Sequence, residues 1–145
     1  MKAVQMHEYG SAEVLRYTDV ADPTVNDDDV LIRVIGTSVN PIDWKIRAGH
    51  MKDMMPIPMP LIPGWDVSGV VQSIGKSVTG FAVGDSVYSR PDIARPGTYA
   101  ELISVRESEV ARKPRTISHS SQVTFSALGQ HAPPERKYQW DPETP

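Results

Sequence analysis

The stretch Asn40-Pro41-Ile42-Asp43-Trp44-Lys45-Ile46-Arg47-Ala48-Gly49 organises the reading of everything around it. It is the one clear helix signal in the chain. Asn40 suits the N-cap, where a short polar side chain meets the free N–H groups of the first turn. Pro41 suits the first helical position, because its missing N–H costs nothing there. Asp43 falls at the third position, near the positive end of the helix dipole. Gly49 can adopt the left-handed conformation that closes a helix. Two turns are too few to stand alone, so this helix must be held by packing.

Upstream, Lys2 to His7 and Leu15 to Val20 read as short strands, and Val30 to Val39 is the strongest strand. Val30, Ile32 and Val34 share one face; Leu31, Arg33 and Ile35 share the other. Apolar residues on both faces predict a strand covered on both sides, with Arg33 near an edge. Downstream, Met51 to Pro63 is rich in Met and Pro and resists regular structure. Asp66 to Ile74, Ser86 to Ser89, Thr98 to Val105 and Glu109 to Arg112 read as further strands. Gly75-Lys76-Ser77, Gly80 and Gly84-Asp85 mark turns between them. The expectation is a mainly β domain of about seven or eight short strands and one short helix.

The chain has 145 residues, the size of one domain. A net charge of −3 makes nucleic acid a poor partner. No cysteine is present, which removes disulfides, thiol redox chemistry and cysteine-ligated zinc. His7, His50, His119 and His131 lie at no metal-ligand spacing. No secretory signal and no apolar run of about 18 residues is present, so the expected location is the cytoplasm, with no membrane span.

The motif Asn40-Pro41-x-Asp43-x-x-x-Arg47-x-Gly49 resembles that of the zinc-free, quinone-oxidoreductase-like (zeta-crystallin-like) medium-chain dehydrogenases/reductases. Pro60-Leu61-Ile62-Pro63-Gly64-Trp65-Asp66-Val67-Ser68-Gly69-Val70-Val71 is similar to the family's proline-glycine-acid-glycine segment. Gly75, Val78, Phe81, Gly84-Asp85, Val87 and Gly97-Thr98-Tyr99-Ala100-Glu101 continue the pattern. Each match is weak alone; their order and spacing carry the resemblance across about residues 1–121.

The resemblance implies a GroES-like distorted β-barrel over residues 1–117, forming one wall of a cleft whose other wall is a Rossmann domain. It implies NADPH as cofactor and hydride transfer to a quinone, enone or carbonyl substrate. Zinc-dependent relatives place cysteine, histidine and glutamate at the positions of Asn40, Trp65 and Asp66, so no metal is expected. On the same ground Asn40 and Trp44 are candidates for cofactor contact, and Trp65 and Tyr99 for the substrate pocket. Capping alone also accounts for Asn40, and core packing for Trp44. Asp43 reads as a capping charge rather than a catalytic acid, so no catalytic residue is assigned. Arg47 reads as a structural residue.

Beyond Ser118 the sequence leaves the pattern. Ser118 to Gly129 can start a helix, but Gln130 to Pro145 carries four prolines and few aliphatics. Residues 118–145 are expected to be a divergent, disordered tail. No G-x-G-x-x-G follows, and no βαβ unit fits in what remains. The expectation is therefore a truncated NADPH-dependent oxidoreductase with the Rossmann domain missing, inactive alone. Its cleft face, lined by Trp44, Trp65, Met54 and Met55, would be open to self-association. The alternatives are a non-enzymatic β-barrel module that binds a partner through that cleft, or a non-functional fragment.

Overall fold

A computed structural model describes residues 1–122. Its strands are β1 (Lys2–Gln5), β2 (Arg16–Asp19), β3 (Asp29–Thr37), β4 (Val67–Ile74), β5 (Ser86–Ser89), β6 (Leu102–Arg106) and β7 (Val110–Arg112). The helix α1 spans Pro41–Arg47. β1 and β2 form an antiparallel pair, with Lys2 opposite Asp19. The other five make an antiparallel sheet in the order β6-β3-β4-β5-β7, the curled sheet of a GroES-like distorted barrel. Among the described residues no helix is long and apolar enough to cross a membrane.

The sheet curls around Val30 and Ile32 of β3, Val67 and Val71 of β4, Val87 of β5, and Ile103 and Val105 of β6. Alternate residues of a strand share a face, which is why β-branched side chains at spacing two meet in one core. Each such side chain, once buried, stabilises the fold by about 1.5–3 kcal/mol. Register shifts between Leu31 and Ile32, and between Val34 and Gly36, bend β3 as it pairs with β4.

β3 is buried on both faces only over its first half. Val30, Leu31 and Ile32 are buried, whereas Arg33 and Ile35 are exposed. Nor does β3 form an edge: it pairs with β4 on one side and β6 on the other. Arg33 reaches solvent from the middle of the sheet.

The sixth strand also begins later than its sequence suggests. Gly97 to Tyr99 are not strand, and their N–H groups go to the carbonyls of Ile62, Gly64 and Pro63 in turn, at 2.8–3.0 Å. Ala100 bridges Ala3. Regular pairing with β3 starts near Leu102.

Asp29, the last residue of the acidic run and the first of β3, is wholly buried. Both its oxygens meet the Arg95 guanidinium, at 2.9 and 2.7 Å. Ser104 Oγ (2.9 Å) and Asn26 Nδ2 (2.7 Å) also donate to it. The Arg95 bonds hold the Asp29 carboxyl far below the usual carboxylate range, against the opposing effect of burial. This pair fastens the 90–97 loop onto the sheet.

Past β7 the chain does not detach at once. Residues 119–122 are helical, Gln122 is buried, and His119 Nδ1 lies 2.6 Å from Ser68 Oγ. The first residues of the expected tail thus lie against the sheet. The tail expected over 118–145 otherwise lies outside the described residues.

Candidate functional site

The site forms where β3 runs into α1. Asn40 starts the helix in extended backbone, Pro41 takes the first turn, and the Asp43 carboxyl reaches back to the Asn40 N–H at 2.6 Å. At the far end Gly49 has φ 81, its N–H bonds Ile46 O, and the His50 N–H bonds Lys45 O. This paired arrangement is the Schellman closure that the left-handed glycine allows. Arg47 Nε donates to Gly10 O at 3.3 Å.

The Asn40 amide also reaches beyond its own helix. Its Nδ2 donates to Asp66 Oδ2 and to Ser38 Oγ, the latter at 3.2 Å. Ser38 Oγ also donates to Asp66 Oδ2, at 2.7 Å. Thr37 Oγ1 donates to Asp66 O at 2.8 Å and lies 2.7 Å from Thr98 Oγ1. Thus the end of β3, the start of α1 and the segment before β4 meet on one buried carboxyl.

Asp43 is the second buried carboxyl of the site, 3% exposed. The Tyr99 hydroxyl donates to its Oδ2 at 2.9 Å. Burial pushes the Asp43 carboxyl above the usual range, and the neighbouring Asp66 charge adds to this, while the bonds from Asn40 and Tyr99 oppose it. Burial likewise pushes the Tyr99 hydroxyl well above its ordinary value, reinforced by Asp43. A phenol so held is a hydrogen-bond donor and a poor acid.

The segment Leu61–Gly69 is buried along its whole length. It can lie so deep because Gly64, at φ 92, passes beneath the Tyr99 ring. A Cβ at Gly64 would come within 2.5 Å of Tyr99 Cε1 and 2.6 Å of Thr98 Oγ1.

The four residues singled out from the sequence sit differently. Asn40 is half-buried, and Trp44 projects outward at 43% exposure, with His50 edge-on to its ring at 5.4 Å. Tyr99 is half-buried and bridges to Asp43. Trp65 corrects the expectation of an exposed cleft residue. It is 2% exposed and packs with Met6, Ile46 and Leu61, so it supports α1 from behind. Position in a motif says which residue replaces a ligand, not which way its side chain turns. Of the apolar residues near α1, Val39 (78% exposed), Trp44 and Met54 (83%) are the ones that reach solvent; Met55 packs partly inward.

Ser38, Thr37 and Thr98 were not singled out, and Asp66 was noted only as a replaced ligand. A run of small hydroxyl residues ending a strand just before a capped helix was the signal available for the first two.

The donor set does not suit zinc. Of the three positions that zinc-dependent relatives use, Asn40 offers an amide, and Trp65 an indole turned into the core. Asp66 offers a carboxyl already bonded to Asn40 and Ser38. A separate cavity of about 280 Å³, lined by Asn26, Ile62, Arg95, Leu102 and Ser104 among others, includes none of the candidate residues. The Arg95 guanidinium there is committed to Asp29.

Comparison with known proteins places this geometry. Residues 26–115 match the family model described as the alcohol dehydrogenase GroES-like domain. The chain is 39% identical over 134 residues to the 2-methylene-furan-3-one reductase of Solanum lycopersicum, covering 86% of this chain and 34% of that protein. The quinone oxidoreductase of Coxiella burnetii superposes with a TM-score of 0.72 at 31% identity, covering 83% of this chain and 39% of that one. A mycobacterial protein solved with NADPH, Rv1454c, gives a TM-score of 0.72 at 31% identity, with coverages of 82% and 35%. The chain thus spans about a third of the length of such relatives. With more than half of its residues matched and its similarity running to quinone oxidoreductases and enone reductases, the chain belongs to the alcohol dehydrogenase GroES-like domain family of the medium-chain reductases.

Proposed function

We propose that this domain serves NADPH-dependent hydride transfer to a quinone, an enone or another activated carbonyl compound, as one wall of the site. The observation that carries the reading is the Asn40 amide, anchored on Asp66 and Ser38 beside the half-exposed Trp44 indole. An amide held by two partners is oriented before any ligand arrives, and a flat indole offers an apolar face to a planar ring. Both fit a nicotinamide ribose. NADPH, when bound, would supply the hydride. Asn40 and Trp44 would hold and orient the cofactor. Tyr99 would act at one remove, its hydroxyl keeping Asp43 and so the start of α1 in place. Relatives that name NADPH or an enone substrate support this reading. One wall cannot by itself hold donor and acceptor about 3–3.5 Å apart. The proposal therefore has the chain inactive on its own, and acting in the cytoplasm, a location that cell fractionation would check.

The test is NADPH oxidation with 1,4-benzoquinone or 9,10-phenanthrenequinone. The chain alone should show no turnover. Joined to the nucleotide-binding portion of a relative it should turn over, and Asn40→Ala with Trp44→Ala should lower kcat/KM. Undiminished kcat/KM in that double variant would refute the assignment.

The exposed apolar side chains of Val39, Trp44 and Met54 favour a second reading, a module that associates through them, including with its own copies. Sedimentation at rising concentration separates the two: a strict monomer that binds no apolar dye argues against association. A cooperative thermal melt argues against a fragment without function.

A further inference from the structure

Ser68 is wholly buried although it lies on the side of β4 opposite the core residues Val67 and Val71. His119 sits against it, with Nδ1 2.6 Å from Ser68 Oγ. The hydroxyl has a second acceptor in Val87 O, at 3.3 Å. A serine hydroxyl carries a single proton, so it donates either to His119 Nδ1 or to Val87 O. In the tautomer that keeps its proton on Nε2, a neutral His119 accepts that bond at Nδ1.

Two charged groups act on this ring, Arg33 from β3 and Lys113 from the segment after β7. Both are cations. The remaining titratable neighbour in register is Tyr88, opposite Ser68 on β5. Lys113 is fixed in place, its Nζ donating to the carbonyls of Pro114 and Ile117.

We propose that His119 is a pH-operated pin, which as a neutral imidazole fastens residues 118–122 to β4 through Ser68 and on protonation releases them. A proton on Nδ1 turns the acceptor into a donor, and Ser68 must then rotate its hydrogen onto the distant Val87 carbonyl. The new cation faces Arg33 and Lys113. Burial, with these two charges, holds the His119 ring below its ordinary value of 6.5. The docked state therefore binds fewer protons than the released one. Docking is complete above the ordinary imidazole range and is lost as pH falls through it toward the lower docked value.

The test is amide hydrogen exchange of residues 118–122 in the full chain between about pH 8 and about pH 5, corrected for intrinsic exchange. In the unmodified chain protection should fall severalfold on acidification. In His119→Asn, which keeps a polar group near the Nδ1 position but does not titrate, protection should not change with pH. Ser68→Ala should lower protection at neutral pH. A flat profile in the unmodified chain, or the same slope in His119→Asn, overturns the proposal. Proton NMR of the histidine rings provides a reading that needs no folded variant. The His119 ring should titrate below the ordinary imidazole value of 6.5; titration at or above that value also overturns it.

Discussion

Gly64→Ala probes the closure on which the candidate site depends. Two effects add at this position. Alanine at φ 92 adopts a left-handed backbone, at a cost of about 1–2 kcal/mol. Its Cβ would also stand 2.5 Å from Tyr99 Cε1 and 2.6 Å from Thr98 Oγ1. Thr98 is fully buried and hydrogen-bonded to Thr37, and Tyr99 is tied to Asp43, so neither side chain yields freely. Forcing a methyl into such packing costs about 1–3 kcal/mol more. The expected loss is therefore about 2–5 kcal/mol in total. Gly84→Ala isolates the first effect, since Gly84 has φ 94 and no atom near its missing Cβ; it should cost only about 1–2 kcal/mol. Urea unfolding followed by tryptophan fluorescence measures both. With a denaturant slope of about 1–3 kcal/mol per molar, Gly64→Ala should lower the midpoint by about 0.7 M or more. In a Tyr99→Ala background the extra cost at Gly64 should shrink. Equal losses at Gly64 and Gly84 would refute the claim that the Tyr99 ring is seated on this backbone.

Three further outcomes follow from the same structure. Asp29→Ala strands the Arg95 guanidinium and should cost about 3–5 kcal/mol in a thermal melt. Because Asp29 is held below its ordinary 3.8, its contribution is complete above that value and lost as pH falls below it. The gap between the native chain and Asp29→Asn should therefore close on acidification. Trp65→Ala should cost about 3–5 kcal/mol and Trp44→Ala under about 1 kcal/mol, with acrylamide quenching Trp44 and sparing Trp65. Asn40→Ala removes a bond to a buried carboxyl and should cost about 1.5–3 kcal/mol in urea unfolding.

The parts of this fold legible in the sequence are those whose causes are local. Asn40, Pro41, Asp43 and Gly49 carry the chemistry of a helix start and stop within ten residues, and α1 forms there. β3, β4 and β5 follow from spacing-two patterns of Val and Ile. What was missed depends on partners far along the chain. Asp29 reads as one more turn residue until Arg95 arrives 66 positions later. Thr98 to Glu101 read as strand, but their partners are the loop at 62–64 and β1. Trp65 was placed by its position in a motif, and packing against Met6 and Leu61 decided its direction.

The bonding of β1 sets a schedule for folding during synthesis. Val4 N–H bonds Tyr99 O, and the Lys2 N–H meets Glu101 Oε2 across 99 positions. At about 5–20 residues per second, the first strand emerges some 5–20 s before its partners exist. Only β2, within the next seventeen positions, can occupy it meanwhile, and Lys2 and Asp19 are already paired in that hairpin. The hairpin thus covers an early strand edge until the ninety-ninth residue completes its other side.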